Sequence, residues 1–184
     1  MRANWFLAFP LGGAFVRELP APPSALRLFH PEDVHLTLSF LGGCGEERAL
    51  AALGALDAAL AAEPLAPLAI SLGEVVPMGS RRRYTALSAL LGRGRPEAEA
   101  ALSRLRAVLA DAAGVTRDTR EPKPHVTLAR PRGRATEADR AAGLGWAAGL
   151  DLSGVSARLD RVALYTWGER RLERLFRIVD ERRL

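Results

Sequence analysis

Two four-residue segments of this chain nearly repeat each other: His35-Leu36-Thr37-Leu38 and His125-Val126-Thr127-Leu128. The 184-residue sequence holds three histidines, and these two lie 90 positions apart, one in each half. Imidazole can take or give a proton near neutrality. A hydroxyl two residues on can hydrogen-bond an anionic oxygen. Metal-free chemistry at a phosphodiester needs a base for the incoming oxygen and an acid for the leaving one. It also needs donors for the charge that builds on phosphorus-bound oxygens. Two such segments supply that set.

Strand periodicity says how the groups would be presented. Both segments are rich in β-formers, and residues i and i+2 of a strand share a face. His35, Thr37 and Ser39 then form one face, with Leu36, Leu38 and Phe40 on the other. His125 and Thr127 are opposed by Val126 and Leu128. Each strand turns its apolar face to a core and its imidazole-plus-hydroxyl face outward. If the halves face each other, two imidazoles and two hydroxyls meet in one cleft.

Other residues compete for roles, each against an ordinary alternative. A single strand histidine is commonly half-buried and bonded to backbone; two in matched frames are a different case. Two strand histidines could hold zinc, but a third ligand is required. Cys44 lies beyond the Gly42-Gly43 turn, and no Asp or Glu sits at matched spacing beside either histidine, so no metal site is expected. His30, between Phe29 and Pro31, reads as a surface or packing residue. Arg130 and the Arg81-Arg82-Arg83 cluster are phosphate candidates. Arg130 has the wrong parity to share a face with His125 and reaches the cleft only if the strand ends or bulges first. The triple arginine reads equally as a solvated hairpin tip. Tyr84 and Trp5 could stack on a base or belong to the core.

Behind these residues the chain reads as a strand at 3–9, then a Pro-rich irregular stretch over 10–33, then the first motif strand ending at Gly42-Gly43. A helix over 46–62 is stopped by Pro64. Strands at 67–76 and 83–91 flank the turn cluster of 77–82, and a second helix spans 97–113. Pro122-Lys123-Pro124 leads into the second motif strand, followed by a short helix at 136–148 and a closing strand pair at 154–167 and 172–180. Each motif strand is followed by a helix and a strand pair. The order predicts a single α+β domain of two pseudo-symmetric lobes. Each lobe would be an antiparallel-type sheet with helices on its outer face, with the active-site cleft between the lobes.

Composition bounds the partners. The net charge of +5 and pI near 10.5 suit a polyanion, and Lys123 is the one lysine among 26 basic residues. Arginine forks phosphate better than lysine does, although an Ala/Arg/Leu/Gly-rich composition also follows from a GC-rich genome. Asn4 is the sole carboxamide, which would suit a thermophile. No apolar run reaches transmembrane length, and the segment Met1–Pro10 is too short for a leader. One cysteine excludes an internal disulfide and fits a reducing cytoplasm.

With its flanks, the first motif reads Pro31-Glu32-Asp33-Val34-His35-Leu36-Thr37-Leu38-Ser39-Phe40-Leu41-Gly42, and the second Pro124-His125-Val126-Thr127-Leu128-Ala129-Arg130. These resemble the two motifs of the RNA 2′,3′-cyclic phosphodiesterases, also called 2′-5′ RNA ligases, of the two-histidine phosphoesterase superfamily. The opening Trp5-Phe6-Leu7-Ala8 strand and the closing Leu159–Tyr165 strand fit as well. One departure is the short Pro-rich stretch before the first motif, where relatives usually carry a helix.

The resemblance implies hydrolysis of an RNA 2′,3′-cyclic phosphate to a 2′-phosphate, with His125 as base and His35 as acid. Thr37, Thr127 and Arg130 would bind phosphate, and neither metal nor cofactor is implied. With an RNA 5′-hydroxyl in place of water, the same site would ligate. The expected partner is RNA bearing a cyclic-phosphate end, tRNA fragments included, and the expected state is a monomer. Two alternatives stand beside it: a non-catalytic RNA-end binder, and a phosphodiesterase for another small cyclic nucleotide.

Overall fold

The computed structural model describes residues 3–184; Met1 and Arg2, part of the segment read as too short for a leader, lie outside the described residues. The elements run β1 (Trp5–Pro10), β2 (Leu26–Leu28), β3 (His35–Gly42), α1 (Glu46–Ala62), β4 (Leu68–Met78), β5 (Ala86–Leu91) and α2 (Arg95–Ala112). Then come β6 (His125–Pro131), α3 (Glu137–Ala148), β7 (Ser156–Leu159), β8 (Arg161–Trp167) and β9 (Phe176–Arg183). The α+β class expected from the sequence is what is found. Among the described residues no helix is long and apolar enough to cross a membrane.

All the strand pairings are antiparallel. The sheet order is β7-β4-β5-β6-β3-β1-β8-β9, with β2 added on β6. It divides into two four-stranded halves, β9-β8-β1-β3 and β6-β5-β4-β7, each with a motif strand innermost. The strand pair β4–β5 that follows the first motif joins the second motif's half, and the pair β8–β9 joins the first motif's half. The two lobes are thus interleaved, and their sheets fuse at β3–β6.

One residue dictates the sheet's curvature. β7 and β8 sit at far-separated places in the order, yet only Asp160 lies between them. Strands about 4.8 Å apart would put these places some 30 Å from each other in a flat sheet. One residue spans roughly 3.5 Å. The sheet therefore curls into a half-barrel. The expected strand at 154–167 is for this reason two strands, broken at Asp160.

The helices cover the apolar face. α1 buries Ala49, Ala52, Leu53 and Leu56, and α2 buries Ala98, Ala101, Leu102, Leu105 and Leu109. Both sets follow the i, i+3, i+4 stripe of an amphipathic helix, and their alanines let the two helices pack on each other, on β1 and on β3. The stretch 10–33 is more ordered than its Pro-rich sequence suggests. It holds two 3₁₀ turns, Gly13–Glu18 and Pro31–Asp33, and the strand β2. It contains no α-helix, in line with the departure noted from relatives. Trp146 Nε1 on α3 donates to the Pro20 carbonyl at 2.9 Å, and Arg132 Nε to that of Ser24 at 2.9 Å, fastening the stretch.

A second small core of Leu26, Tyr84, Leu87, Ala129 and Ala147 joins α3, β2, β5 and the end of β6. α3 starts on a capping box between Thr136 and Asp139. It approaches Tyr84 through Gly143, where an added Cβ would collide with the Tyr84 hydroxyl and crowd Leu26. That hydroxyl donates to the Arg140 carbonyl at 3.0 Å. Gly143→Ala is expected to destabilise the fold by about 1–3 kcal/mol, the usual penalty for overpacking. Urea unfolding checks this, and an unchanged midpoint would show that α3 can shift freely.

Candidate active site

The two motif strands are neighbours in one sheet. β3 and β6 pair through Leu36↔Val126. That antiparallel register sets His35 opposite Thr127 and Thr37 opposite His125, so each imidazole lies across from the other motif's hydroxyl. The strands then part. β5 runs along one edge of β6, while the other edge passes from Val126, paired with β3, to Ala129–Pro131, paired with β2. The site opens where β3 and β6 diverge.

Both motif strands bulge at the same place. In the β1–β3 ladder Leu7 faces Ser39 and Ala8 faces Thr37, skipping Leu38. In the β5–β6 ladder Leu87 faces Ala129 and Ser88 faces Thr127, skipping Leu128. Each skipped leucine and the residue after it are both buried, which is the mark of an extra residue in one strand. Parity flips beyond the bulge. Ser39, expected beside His35 and Thr37, is instead buried, with its hydroxyl 3.5 Å from the Arg106 carbonyl of α2. Phe40, expected in the core, is 61% exposed and lines the cleft. Arg130, at the matching position of the second motif, turns to the cleft as well. Its guanidinium lies 5.4 Å from the centre of the Phe29 ring. The bulge on which Arg130's reach depended is present.

Each histidine is anchored in the same way. His35 Nδ1 lies 2.6 Å from the Asp33 carbonyl, and His125 Nδ1 lies 2.6 Å from the Lys123 carbonyl. A carbonyl only accepts, so Nδ1 carries the proton in both rings. Nε2 is left as the atom that exchanges protons. The surroundings differ. His35 is buried among aromatic rings, with centroid distances of 4.8 Å to Phe6, 5.4 Å to Tyr165 and 5.6 Å to Phe176. Loss of water lowers its pKa to about 4, helped by the positive charges of Arg130 and His125. His125 is less enclosed, and its pKa is lowered too, again mainly by burial. Both rings are neutral in the free protein at pH 7.

Cavities of about 440 and 550 Å³ flank the motif strands. Thr37 and Phe40 line both. His35 and Arg130 open on the first, His125 on the second. Thr127 sits beside Ser88, with hydroxyl oxygens 3.2 Å apart. Thr127 lines neither cavity, and the remaining candidates stay out. Arg81, Arg82 and Arg83 form the exposed turn between β4 and β5, where Arg82 pairs with Glu137 at 3.2 Å. Tyr84 and Trp5 are core residues. His30 Nδ1 accepts from Glu32 N at 3.2 Å and caps a 3₁₀ turn. Cys44 is a free thiol.

The sequence profile of the 2′-5′ RNA ligase superfamily matches residues 15–171. The chain belongs to that superfamily. Its members are 2′-5′ RNA ligases and phosphoesterases, and this protein is an enzyme of that class. No curated protein sequence matches it. Its fold is shared with TT0787 of Thermus thermophilus, at TM-score 0.73 and 20% identity over 98% of this chain and 97% of that one. E. coli LigT complexed with 3′-AMP superposes at TM-score 0.67 and 20% identity, covering 100% and 99% of the two chains. Kluyveromyces marxianus Usb1 follows at 0.52 and 13% identity, covering 88% and 92%.

One buried residue in this superfamily member escaped the sequence reading. Asp33 is fully buried, and its carboxylate accepts from Leu175 N at 2.7 Å and Phe176 N at 3.0 Å. Its carbonyl holds the His35 ring. A single residue thus fixes the tautomer of one imidazole and ties the start of β9 beneath it. The sequence signal is faint: an acid two residues before a motif histidine, with partners 142 and 143 positions away. Asp33→Ala leaves two buried N–H groups without acceptors, each costing roughly 1–3 kcal/mol. We expect a loss of about 2–5 kcal/mol on urea unfolding, with Asp33→Asn intermediate. Equal stability of all three proteins would remove the tie from the fold's energetics.

Proposed function

We propose that the protein hydrolyses RNA 2′,3′-cyclic phosphates to 2′-phosphates, without a metal, in the cytoplasm. The observation that carries this reading is the reciprocal register, with two Nδ1-anchored imidazoles each set across from the other motif's threonine. That arrangement fits a phosphate with a proton acceptor on one side and a donor on the other. Water attacks phosphorus and loses its proton to Nε2 of His125. The bond from phosphorus to the 3′-oxygen breaks, and that oxygen takes a proton from Nε2 of His35. The products are a 2′-phosphate and a free 3′-hydroxyl. Thr37 and Thr127 donate to the non-bridging oxygens, and Arg130 adds charge where negative charge accumulates. With an RNA 5′-hydroxyl in place of water, the same steps leave a 2′-5′ linkage. The nucleotide complex of LigT supports a ligand of this class, since a similar fold there carries 3′-AMP.

The unequal burial makes the two rings differ, while the assignment of His125 as base and His35 as acid rests on the family resemblance. His125, the more open of the two, is nearer to the solvent that supplies the attacking water. His35 in its aromatic box is hard to charge, and once charged it is a strong acid. An arriving phosphate anion opposes the desolvation and draws a proton onto the pair. The two histidines titrate together, so the working state is the one-proton form.

His35→Ala and His125→Ala should each lower turnover of a 2′,3′-cyclic-phosphate RNA by at least ~10²-fold, with the fold intact by circular dichroism. Thr37→Ala or Thr127→Ala should cost roughly 1.5–3 kcal/mol in kcat/KM, one hydrogen bond to a charged acceptor. Turnover should survive EDTA; loss restored by Zn²⁺ or Mn²⁺ would overturn the metal-free reading. A wild-type protein that binds such RNA without turnover would be an RNA-end binder. A preference for a different cyclic nucleotide would redirect the substrate, not the chemistry.

The pH profile gives a separate check. Both imidazole pKa values lie below the usual 6.5, that of His35 at about 4. The one-proton form of the free enzyme is therefore most populated at pH values below the ordinary imidazole range, its lower edge set by His35 at about 4. The profile of kcat/KM should be bell-shaped with its maximum on the acid side of about pH 6.5. A sigmoidal profile, or a maximum above about pH 7, would count against the histidine pair.

A further inference from the structure

Four arginines converge on the cavity beside His35: Arg27, Arg130, Arg132 and Arg171. Among the described residues no carboxylate lines that cavity and none of the four forms an ion pair. Arg27 stands directly across the β2–β6 ladder from Arg130, an arrangement of like charges that works against the sheet unless something offsets it. Carbonyls and rings hold these side chains in place of acids. Arg27 Nη2 donates to the carbonyls of Arg171 at 2.6 Å and Leu172 at 3.1 Å. The Arg171 guanidinium lies 3.9 Å from the centre of the Trp167 ring. Such partners orient a guanidinium without neutralising it.

The cavity beside His125 is built in the opposite sense. Its cations are largely compensated: Asp118 pairs with Arg120 at 2.8 Å and with Arg106 at 3.6 Å, and Glu121 lines the same cavity as Lys123. The site is thus strongly cationic on one side of the motif strands and nearly balanced on the other.

We infer that the cavity beside His35 holds a second phosphate, the 5′-phosphate of the nucleotide whose cyclic phosphate reacts, with Arg27, Arg132 and Arg171 as its ligands. The inference rests on the hydrolase reading above and adds to it a direction. The RNA strand leading to the reacting end leaves past the arginines. The balanced cavity receives the uncharged partner: water, or the 5′-hydroxyl nucleoside of a second RNA. Arg130 belongs to the reacting phosphate, and its neighbour Arg27 to the next one along the chain. Charge repulsion between them is relieved when both phosphates are in place.

The test compares ligands that differ by that phosphate alone. Adenosine 3′-phosphate and adenosine 3′,5′-bisphosphate are titrated calorimetrically into wild type and into Arg27→Ala, Arg171→Ala and Arg106→Ala. In parallel, kcat/KM is measured for adenosine 2′,3′-cyclic phosphate with and without a 5′-phosphate. Wild type should favour the 5′-phosphorylated member of each pair by about tenfold or more, the scale of charge-assisted bonds to phosphate. Arg27→Ala and Arg171→Ala should bring the ratio to within about twofold of one, and Arg106→Ala should leave it. The ratio is internal to each variant, so a general loss of activity or fold does not mimic the effect. Arg171, whose guanidinium rests on the Trp167 ring, also guards against misfolding of the Arg27 variant. A wild-type binding ratio near one, or equal collapse in Arg106→Ala, would overturn the inference. Absence of turnover on both cyclic substrates would instead overturn the hydrolase reading, with the binding ratio still deciding the second-phosphate site.

Discussion

Everything at this site depends on one contact between strands that are far apart in sequence, the pairing of Leu36 with Val126. Because the ladder is antiparallel, that pair lies at the centre of a local two-fold relation. It places each histidine across from the other motif's threonine without any loop having to be positioned. A parallel pairing would set like against like, with imidazole beside imidazole and hydroxyl beside hydroxyl. Sheet hydrogen bonding therefore does what a binding loop does elsewhere. It holds imidazoles and hydroxyls at fixed spacing on rigid elements, the kind of preorganisation that catalysis by positioned groups needs.

Symmetry alone would be a handicap for acid–base chemistry, since an acid and a base must differ. The fold breaks the equivalence through what surrounds each ring. His35 is enclosed by Phe6, Tyr165 and Phe176, and those rings come from β1, β8 and β9 of its own half. Among the described residues the other half offers His125 no such box. The matched bulges are likewise used unequally. Both turn the fifth residue after the histidine into the cleft, but one presents the apolar surface of Phe40 and the other the charge of Arg130. A common backbone device thus brings an apolar ring into the cleft from one strand and a guanidinium from the other.

Much of this was legible in the sequence, for reasons that can be named. The histidine–threonine faces follow from strand alternation over three residues, too short a span for any irregularity to intervene. α1 and α2 follow from alanine and leucine at helical spacing between Gly and Pro boundaries. What was not legible is governed by partners distant in the chain. The break at Asp160 exists because the sheet curls, and nothing near residue 160 says so. Strand β2 forms because β6 has a free edge beyond Val126. Ser39 and Phe40 exchange sides because of a bulge that local residue types do not encode. Arg130 shows the boundary clearly: parity placed it on the wrong face unless a bulge intervened, and only the ladder shows that one does.

The same long-range dependence explains why the site can be both buried and open. Desolvation of His35 requires the start of β9 to lie against it, and Asp33 secures that by binding the amides of Leu175 and Phe176. Those amides would otherwise be unpaired at the head of a strand, and the carboxylate would otherwise have only the Arg174 guanidinium, 3.9 Å away, as a partner. Each solves the other's problem. The arrangement costs little because both groups had to be satisfied in any case. Its by-product is that the Asp33 carbonyl, pinned by the side chain it belongs to, is available to fix His35. The Phe176 wall of the aromatic box, the tautomer and the head of the strand thus meet at one buried aspartate.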